Sequence, residues 1–230
     1  MIPEMTRSVI IVAGGKGLRV GGELPKQFQC IGGVPMLMRT IRAFHDYDYR
    51  MRIIVVLPEG MQPMWLELCD EYQFSIPLTI VAGGETRFHS VKNGLETIGD
   101  DEIVGIHDAA RPFVTSQLLK RCFETASISR CGVIPVVDEV NSVRLVYGAD
   151  SKNIDRKQVK IVQTPQVFPA GEIKRAYETA FESSFTDDAS VAEKQGVKIQ
   201  LVEGEEANRK ITTSFDMAFA DYYCRIMTDR

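Results

Sequence analysis

Short apolar runs rich in β-branched residues alternate along the chain with longer amphipathic stretches. The short runs, which predict buried strands, are residues 8–12, 52–57, 78–81, 103–106 and 132–137. The amphipathic stretches, which predict helices beginning near a Pro, Thr or Ser, are residues 35–44, 61–72, 86–98 and 116–126. Elements in this order predict an α/β fold with a Rossmann-like, mostly parallel sheet and helices on both faces.

The fold class also indicates where the chemistry should lie. Ligands of such sheets bind beyond the carboxyl ends of the strands. We therefore expect the functional residues in the loops that follow Val12, Val81, Ile106 and Val137. No repeat, low-complexity segment or linker divides the sequence, so residues 1–230 are expected to form a single domain.

The regular alternation fails between residues 138 and 160, where strand-like pieces flank a polar turn at 148–153. This segment predicts a projecting hairpin arm. Its apolar positions Val143, Leu145, Val146 and Ile154 are explained if a second copy of the chain covers them. A simple surface excursion is the alternative.

Composition and charge narrow the function. The 230 residues are 44% hydrophobic, enough for a sizeable core, and the net charge of −4 predicts no general attraction to nucleic acid or to an anionic membrane. Any phosphate site must therefore be local. The apolar stretch near the start is too short for a signal peptide, and no window of 18 apolar residues occurs, so we expect a cytoplasmic protein. The five cysteines lack a CxxC pair and are expected to be reduced thiols.

A loop of small residues follows the first predicted strand. It reads VAGGKGLR over residues 12–19, and LPKQF follows at 24–28. Its backbone N–H groups can close on phosphate oxygens, while Lys16, Arg19 and Lys26 add positive charge. The loop predicts a triphosphate cradle, although it is neither a Walker A loop nor a GxGxxG fingerprint. A tight turn with solvated basic residues is the alternative.

A second glycine loop, AGGETRFHS at residues 82–90, repeats the order of strand, glycines and helix. Its backbone groups could read the edge of a base, and Ser90 would add a hydroxyl. An ordinary capped helix is the alternative at this position.

The segment IHDAARP at residues 106–112 places Asp108 at the carboxyl edge of the sheet. One carboxylate together with triphosphate oxygens can hold Mg²⁺, which keeps several of its waters. Alternatively, Asp108 and Arg111 only fix the turn. His107 is expected to be a packed strand residue, because the three histidines of the chain show no metal-ligand spacing.

These segments, with DR at 155–156, QTPQVF at 163–168 and NRKIT at 208–212, resemble the 2-C-methyl-D-erythritol 4-phosphate cytidylyltransferase family of the non-mevalonate isoprenoid pathway. The motifs occur in the family's order and span essentially the whole chain. The resemblance implies a fold of the nucleotide-diphospho-sugar transferase type. It also implies a Mg²⁺-dependent enzyme that transfers CMP from CTP to a sugar-alcohol phosphate and releases pyrophosphate.

The resemblance further implies roles for individual residues. The catalytic charges would be Arg19, Lys26, Lys210 and Arg156. The nucleotide would be held by Ala13, Gly14, Gly15, Gly17, Gly83, Gly84, Ser90 and Ala109. The substrate side would be formed by Arg156, Thr164, Asp108 and Arg111, with Asp108 also at the metal. In the family the arm crosses to the other subunit, so residues 138–160 would be a dimerisation and substrate arm of a homodimer, with Arg156 serving the partner's site.

Two positions depart from the family pattern. Glu139 follows Asp138 where the family often has Thr, and the first loop begins VAGG where the family often has PAAG. The related ribitol-5-phosphate cytidylyltransferases share the LAGGKG-like, PKQF and TPQ-like segments and are the alternative. A non-catalytic module that senses CTP is a further alternative, although charge on both sides of the α-phosphate is more than binding needs.

Overall fold

The computed structural model describes residues 5–14 and 24–228. The strands are β1 (Arg7–Val12), β2 (Cys30–Ile31), β3 (Val34–Pro35), β4 (Arg52–Leu57), β5 (Thr79–Ala82), β6 (Ile103–Asp108), β7 (Gly132–Asp138), β8 (Val143–Tyr147), β9 (Asp150–Ile154), β10 (Lys160–Val162), β11 (Gln166–Pro169) and β12 (Ile199–Glu203). The α-helices are α1 (Met36–Tyr47), α2 (Gln62–Glu71), α3 (Arg87–Leu95), α4 (Ser116–Ser129), α5 (Ala170–Ala176), α6 (Asp188–Lys194) and α7 (Ser214–Thr228).

Every strand and helix predicted from the apolar pattern is present, with ends shifted by up to three residues. The shift that concerns function is at β6, which continues past Ile106 to Asp108. Apolar composition stops at Ile106, but pairing with β1 continues as far as Val12 and Asp108. Asp108 is therefore the last residue of a strand, and its backbone is held by the pairing of β6 with β1.

The main sheet has eight strands in the order β10-β7-β11-β6-β1-β4-β5, and β12 pairs with β7. The pairs β6–β1, β1–β4, β4–β5 and β7–β12 are parallel, whereas β11 and β10 run antiparallel to their neighbours. The predicted mostly parallel sheet is confirmed. It is the arrangement in which ligands bind at the carboxyl ends of the parallel strands.

Both faces of the sheet are covered by helices, as predicted. Alternation along β1 sends Val9 and Ile11 into a core with α1, α2 and α4, and sends Ile10 into a second core with α3, α5 and α6. A strand buried on both faces must be apolar at every position, which explains the continuous apolar runs in the sequence.

The predicted arm is a hairpin of β8 and β9 that forms a separate two-stranded sheet. At its base Asp138 of β7 pairs with Lys160 of β10 in the main sheet. Leu145, Val146 and Tyr147 are exposed on the arm. An isolated hairpin of this size is only marginally stable in water, so its order depends on further contacts.

The predicted extent of the arm's turn, residues 148–153, is wrong. Tyr147 pairs with Asp150, so the chain reverses at residues 148–149 alone, with Gly148 at φ +58° in the left-handed region that glycine favours. Residues 150–153 belong to β9. Their polar composition is compatible with a strand because this hairpin is exposed and has no fully buried face.

The five cysteines form no disulfide, in agreement with the predicted reduced thiols, and Cys122, Cys131 and Cys224 are buried. Within the described ranges, no helix combines the length and apolarity needed to span a membrane.

Candidate active site

The carboxyl ends of the parallel strands meet at one edge of the sheet, where the sequence predicted the chemistry. The backbone N–H of Ala109, just after β6, donates to the Val12 carbonyl at 3.1 Å. After β5, the N–H of Gly83 donates to the Leu57 carbonyl at 2.7 Å. These bonds hold the start of the loop after β6 against the end of β1, and the start of the loop after β5 against the end of β4.

The two glycine loops touch at Ser90. A β-carbon placed on Gly14 would lie 3.2 Å from the Ser90 Oγ, and one on Gly83 would lie 3.1 Å from it. The Ser90 hydroxyl donates to the Thr86 carbonyl at 2.9 Å and accepts from the Gly84 N–H at 3.1 Å. The structure thus brings the predicted nucleotide-binding residues Gly14, Gly83, Gly84 and Ser90 together.

Three cations surround the Asp108 carboxylate. The Lys210 Nζ lies 2.9 Å from Oδ2, the Arg111 Nε lies 3.5 Å from Oδ2, and the Arg87 Nε lies 3.4 Å from Oδ1. Burial by itself would raise the pKa of the Asp108 carboxyl, but Arg87, Lys210 and Arg111 together hold it well below its usual range. Asp108 is therefore ionised, and the site carries an excess of positive charge although the chain is acidic.

The segment that carries Lys210 is tied to the turn after β6. The Ile211 N–H donates to the Ala110 carbonyl at 2.8 Å, and the Arg111 Nη1 donates to the Asn208 carbonyl at 2.8 Å. The Lys26 Nζ donates to the Ile211 carbonyl at 2.6 Å. Lys26 thus contacts the residue that follows Lys210, and Lys210 contacts Asp108, although the two lysines are far apart in sequence.

Asp216 fixes the other end of this segment. Its carboxylate accepts hydrogen bonds from the backbone N–H and hydroxyl groups of Thr212 and Thr213, at 2.9–3.0 Å, and Arg209 lies 3.0 Å away. These bonds order the start of α7 and limit the positions open to Lys210.

His107 is a buried strand residue, as predicted, and it supports the site from below. Its Nε2 lies 3.0 Å from the Arg111 carbonyl, which can only accept, so the proton is on Nε2. Nδ1 then accepts from the Thr164 hydroxyl at 3.0 Å, and the Thr164 oxygen accepts the Asp108 N–H at 3.1 Å. Burial lowers the pKa of His107 to about 4, so the imidazole is neutral near pH 7.

Several residues predicted for the site do not have a free polar group in the cluster around Asp108, or lie outside this cluster. Thr164 is buried, and its hydroxyl is engaged by His107 and Asp108, so a contact with substrate stays a prediction. Ala109 is buried, and its carbonyl accepts from the Thr40 hydroxyl at 2.9 Å. Arg156 lies on the arm, where Nη1 donates to the Val140 carbonyl at 2.6 Å. Four further predicted residues, Gly15, Lys16, Gly17 and Arg19, lie outside the described residues.

Sequence reasoning missed two charged residues beside the site. Arg87 opens α3 and donates through both terminal nitrogens to Asp188, the first residue of α6, at 2.8 and 2.7 Å. Asp188 is fully buried and also accepts from the Tyr177 hydroxyl at 2.6 Å. The only sequence signal for Asp188 is its place in DDAS, which reads as an ordinary helix start.

The donor set around Asp108 fits a magnesium ion that arrives with a nucleotide. Among the described residues, no group of three or more His, Cys, Asp or Glu could enclose a metal ion. A single carboxylate nevertheless suits Mg²⁺, which takes its other ligands from phosphates and water. Oδ1 of Asp108 suits this role, because its contact with Arg87 is long.

Cations gathered around one carboxylate, beside two glycine loops at the carboxyl edge of such a sheet, match an enzyme that handles a nucleoside triphosphate. The chain is a nucleotidyltransferase with a Rossmann-like α/β fold. The sequence model of the 2-C-methyl-D-erythritol 4-phosphate cytidylyltransferase family (IspD) matches residues 8–226. The chain belongs to this family.

Similar proteins agree over nearly the whole length. A Bacteroides fragilis protein named 2-C-methyl-D-erythritol 4-phosphate cytidylyltransferase is 55% identical over 216 residues, which cover 94% of this chain and 98% of that protein. The crystal structure of 4-diphosphocytidyl-2C-methyl-D-erythritol synthase from Anaerococcus prevotii superposes with a TM-score of 0.81 at 26% identity, covering 96% of this chain and 99% of that one. The Thermus thermophilus cytidylyltransferase superposes with a TM-score of 0.76 at 29% identity, covering 94% and 98%.

Proposed function

We propose that the cluster around Asp108 performs the family's reaction, in which CMP is transferred from CTP to 2-C-methyl-D-erythritol 4-phosphate. The products are 4-diphosphocytidyl-2-C-methyl-D-erythritol and pyrophosphate. The observation that carries the proposal is the position of Lys210, 2.9 Å from Asp108, next to the Ile211 carbonyl that holds Lys26. Two lysines from distant parts of the chain are thus joined through the segment 210–211 at the carboxyl edge of the sheet.

The reaction is an attack by a phosphate oxygen of the substrate on the α-phosphorus of CTP. A new P–O bond forms, and the bond between the α-phosphorus and the oxygen of the leaving pyrophosphate breaks. Since the attacking phosphate is already anionic, no general base is required. The protein must hold two repelling anions in line and neutralise the charge that grows on the α-phosphate and the leaving group. Lys26 and Lys210, with Arg19 from the first loop, suit this task.

Asp108 would hold a magnesium ion that neutralises charge on the triphosphate. The glycine loops would hold the cytidine, with Gly14, Gly83 and Ser90 meeting at one point. Arg111 would stay in place during the reaction, since its Nη1 is bound to the Asn208 carbonyl.

Pyrophosphate release tests the proposal directly. The protein is incubated with CTP and Mg²⁺ and with either 2-C-methyl-D-erythritol 4-phosphate or ribitol 5-phosphate, and the nucleotide product is identified by mass. We expect release with the methylerythritol substrate. Preferential release with ribitol 5-phosphate would show the alternative specificity, and CTP binding without release would show a non-catalytic module.

Asp108→Asn is expected to raise the Mg²⁺ concentration needed for half-maximal turnover, because it removes a formal charge from the metal site while keeping the size of the side chain. The measurement is turnover as a function of Mg²⁺ at saturating CTP and sugar phosphate. An unchanged Mg²⁺ dependence would show that Asp108 only fixes the turn.

We further propose that residues 138–160 form a dimerisation arm that reaches the partner's active site. The support is the exposure of Leu145, Val146 and Tyr147 on a hairpin that is separate from the main sheet. Arg156 lies on this arm and would donate charge-assisted hydrogen bonds to the sugar phosphate bound by the other subunit.

Arg156→Ala is therefore expected to raise the KM for the sugar phosphate far more than the KM for CTP, which the glycine loops hold. Lys157→Ala is the matched control, because it removes the neighbouring charge on the same short helical turn. Steady-state kinetics with each substrate varied in turn give both constants. Equal increases in the two KM values would contradict a role at the sugar phosphate.

Subunit mixing tests whether the arm crosses over. A heterodimer of Arg156→Ala and Lys26→Ala would contain one site with both defects and one with neither. Random exchange of equal amounts would then leave about a quarter of all sites intact. If the arm folds onto its own subunit, every site keeps one defect and no activity returns. The absence of recovery, with exchange verified by mass, would exclude the crossed arm and leave the transferase assignment standing.

A further inference from the structure

A chain of polar groups leads to Asp108, and all its members except the half-buried Arg87 are buried. The Tyr177 hydroxyl donates to Asp188 at 2.6 Å, and Asp188 accepts both terminal nitrogens of Arg87 at 2.8 and 2.7 Å. The remaining nitrogen of Arg87, Nε, faces the Asp108 Oδ1 at 3.4 Å. Tyr177 directly follows α5, and the other groups come from α6, α3 and β6, so the chain links four parts of the fold around the strand end.

The geometry divides the guanidinium of Arg87 between two carboxylates unequally. The bidentate pair with Asp188 uses the two nitrogens best placed for a fork-shaped contact. Asp108 receives only the longer contact through Nε, and among the described residues Oδ1 has no closer partner. Oδ2, in contrast, is already bound by Lys210. Oδ1 is therefore the oxygen that a cation could still approach.

Stability alone does not explain such a pair. Asp188 is fully buried, and removing a carboxylate from water is costly, which its contacts offset only when the geometry is good. Replacing buried ion pairs by apolar residues of similar size is often neutral or stabilising. The Arg87–Asp188 pair also determines how Arg87 contacts the neighbouring Asp108, which is a functional explanation for it.

We propose that Asp188 is a positioning residue that holds the terminal nitrogens of Arg87 away from Asp108 and so keeps Oδ1 available to a divalent cation arriving with the triphosphate. This inference rests on the proposed function, since it concerns the same site. Without the charge of Asp188, Arg87 would be attracted mainly to Asp108 and would compete there with the metal ion.

The test is the variant Asp188→Asn, which removes the charge and keeps the size of the side chain. We expect the Mg²⁺ concentration for half-maximal turnover to rise about tenfold, whereas kcat at saturating Mg²⁺ changes little. A second readout needs no turnover: Mn²⁺ binding to the protein–CTP complex, followed by the electron paramagnetic resonance signal of free Mn²⁺. The Kd for Mn²⁺ is expected to rise by a similar factor.

The double variant Arg87→Met/Asp188→Asn distinguishes two roles for Asp188. Either Asp188 restrains Arg87, or the Arg87–Asp188 pair supports the position of Asp108. The double variant removes the competing charge of Arg87 and leaves no unpaired buried charge. It can therefore be measured even if Asp188→Asn alone fails to fold. We expect its Kd for Mn²⁺ to return close to that of the unmodified protein. A raised Kd in the double variant would overturn the proposal, because it would show that the pair supports Asp108 and does not restrain Arg87.

The chain contains a matched control at the other end of β6. Glu102 is buried just before this strand and pairs with Arg52 at 2.5 Å. Glu102→Gln removes a comparable charge far from Asp108, so it should lower the thermal midpoint without changing Mg²⁺ or Mn²⁺ dependence. If Asp188→Asn behaves in the same way, the positioning proposal is wrong. Failure of the unmodified protein to release pyrophosphate would instead overturn the proposed function.

Discussion

Lys210→Ala is expected to lower turnover by about 10² or more at saturating substrates, which corresponds to about 2.7 kcal/mol or more of lost transition-state stabilisation. Lys210 ends in an ammonium group 2.9 Å from Asp108, and its side chain is 42% exposed. Its neighbours hold its backbone in place, since Ile211 donates to Ala110 and Asp216 binds Thr212. The charge is therefore preorganised, and alanine removes it without disturbing these backbone contacts.

The measurement is kcat from pyrophosphate release, with folding checked by thermal denaturation. Lys174→Ala is the control, because Lys174 also binds an aspartate and a carbonyl, Asp100 at 2.5 Å and Ile98 at 2.9 Å, on the opposite side of the fold. We expect this control to keep turnover near that of the unmodified protein. Near-normal turnover of Lys210→Ala would remove Lys210 from the proposed mechanism.

Lys26→Ala is expected to cause a loss of similar size, about 10² or more in turnover. Lys26 lies in the first turn after Pro25, and its ammonium donates to the Ile211 carbonyl at 2.6 Å. Its removal would therefore delete a charge at the triphosphate and also loosen the segment that carries Lys210. Part of the loss would come from each effect.

A double-mutant cycle distinguishes the two lysines acting independently from the two acting as a unit. Because Lys26 binds the residue next to Lys210, we expect the loss in Lys26→Ala/Lys210→Ala to be smaller than the sum of the single losses on a free-energy scale. Full additivity would argue against coupling through Ile211. Unchanged turnover in Lys26→Ala alone would exclude the proposed role for this residue.

The core of the fold and most of the motifs could be predicted from sequence, because burial determines the residue types along each strand. A parallel strand buried on both faces must be apolar throughout, so β1 and β4 stand out as continuous runs. A glycine loop after such a strand already places Gly14 and Gly83 at the carboxyl edge. The hairpin of β8 and β9 was also predictable, because strand-like pieces there flank a polar turn.

The class of reaction could also be predicted from the sequence. The basic residues around the glycine loops and the ordered set of motifs were enough to indicate a cytidylyltransferase, and the family match confirms it. Sequence was less informative where polarity and structure conflict. Residues 150–153 were predicted as a turn because they are polar, and the exposed hairpin made them a strand.

Only the tertiary structure decided which charges meet. Lys26, Asp108 and Lys210 lie in separate elements, and their contacts depend on how the segment 208–213 packs against the turn after β6. Asp188 carries no distinctive sequence signal, and it acquires a role because α6 begins beside Arg87. The period of the apolar pattern shows which face of a helix or strand is buried. An ion-pair network depends instead on the distances between elements that folding brings together. The sequence by itself therefore determined the sheet, the loops and the class of reaction, while the packing of those loops determined the electrostatics of the site.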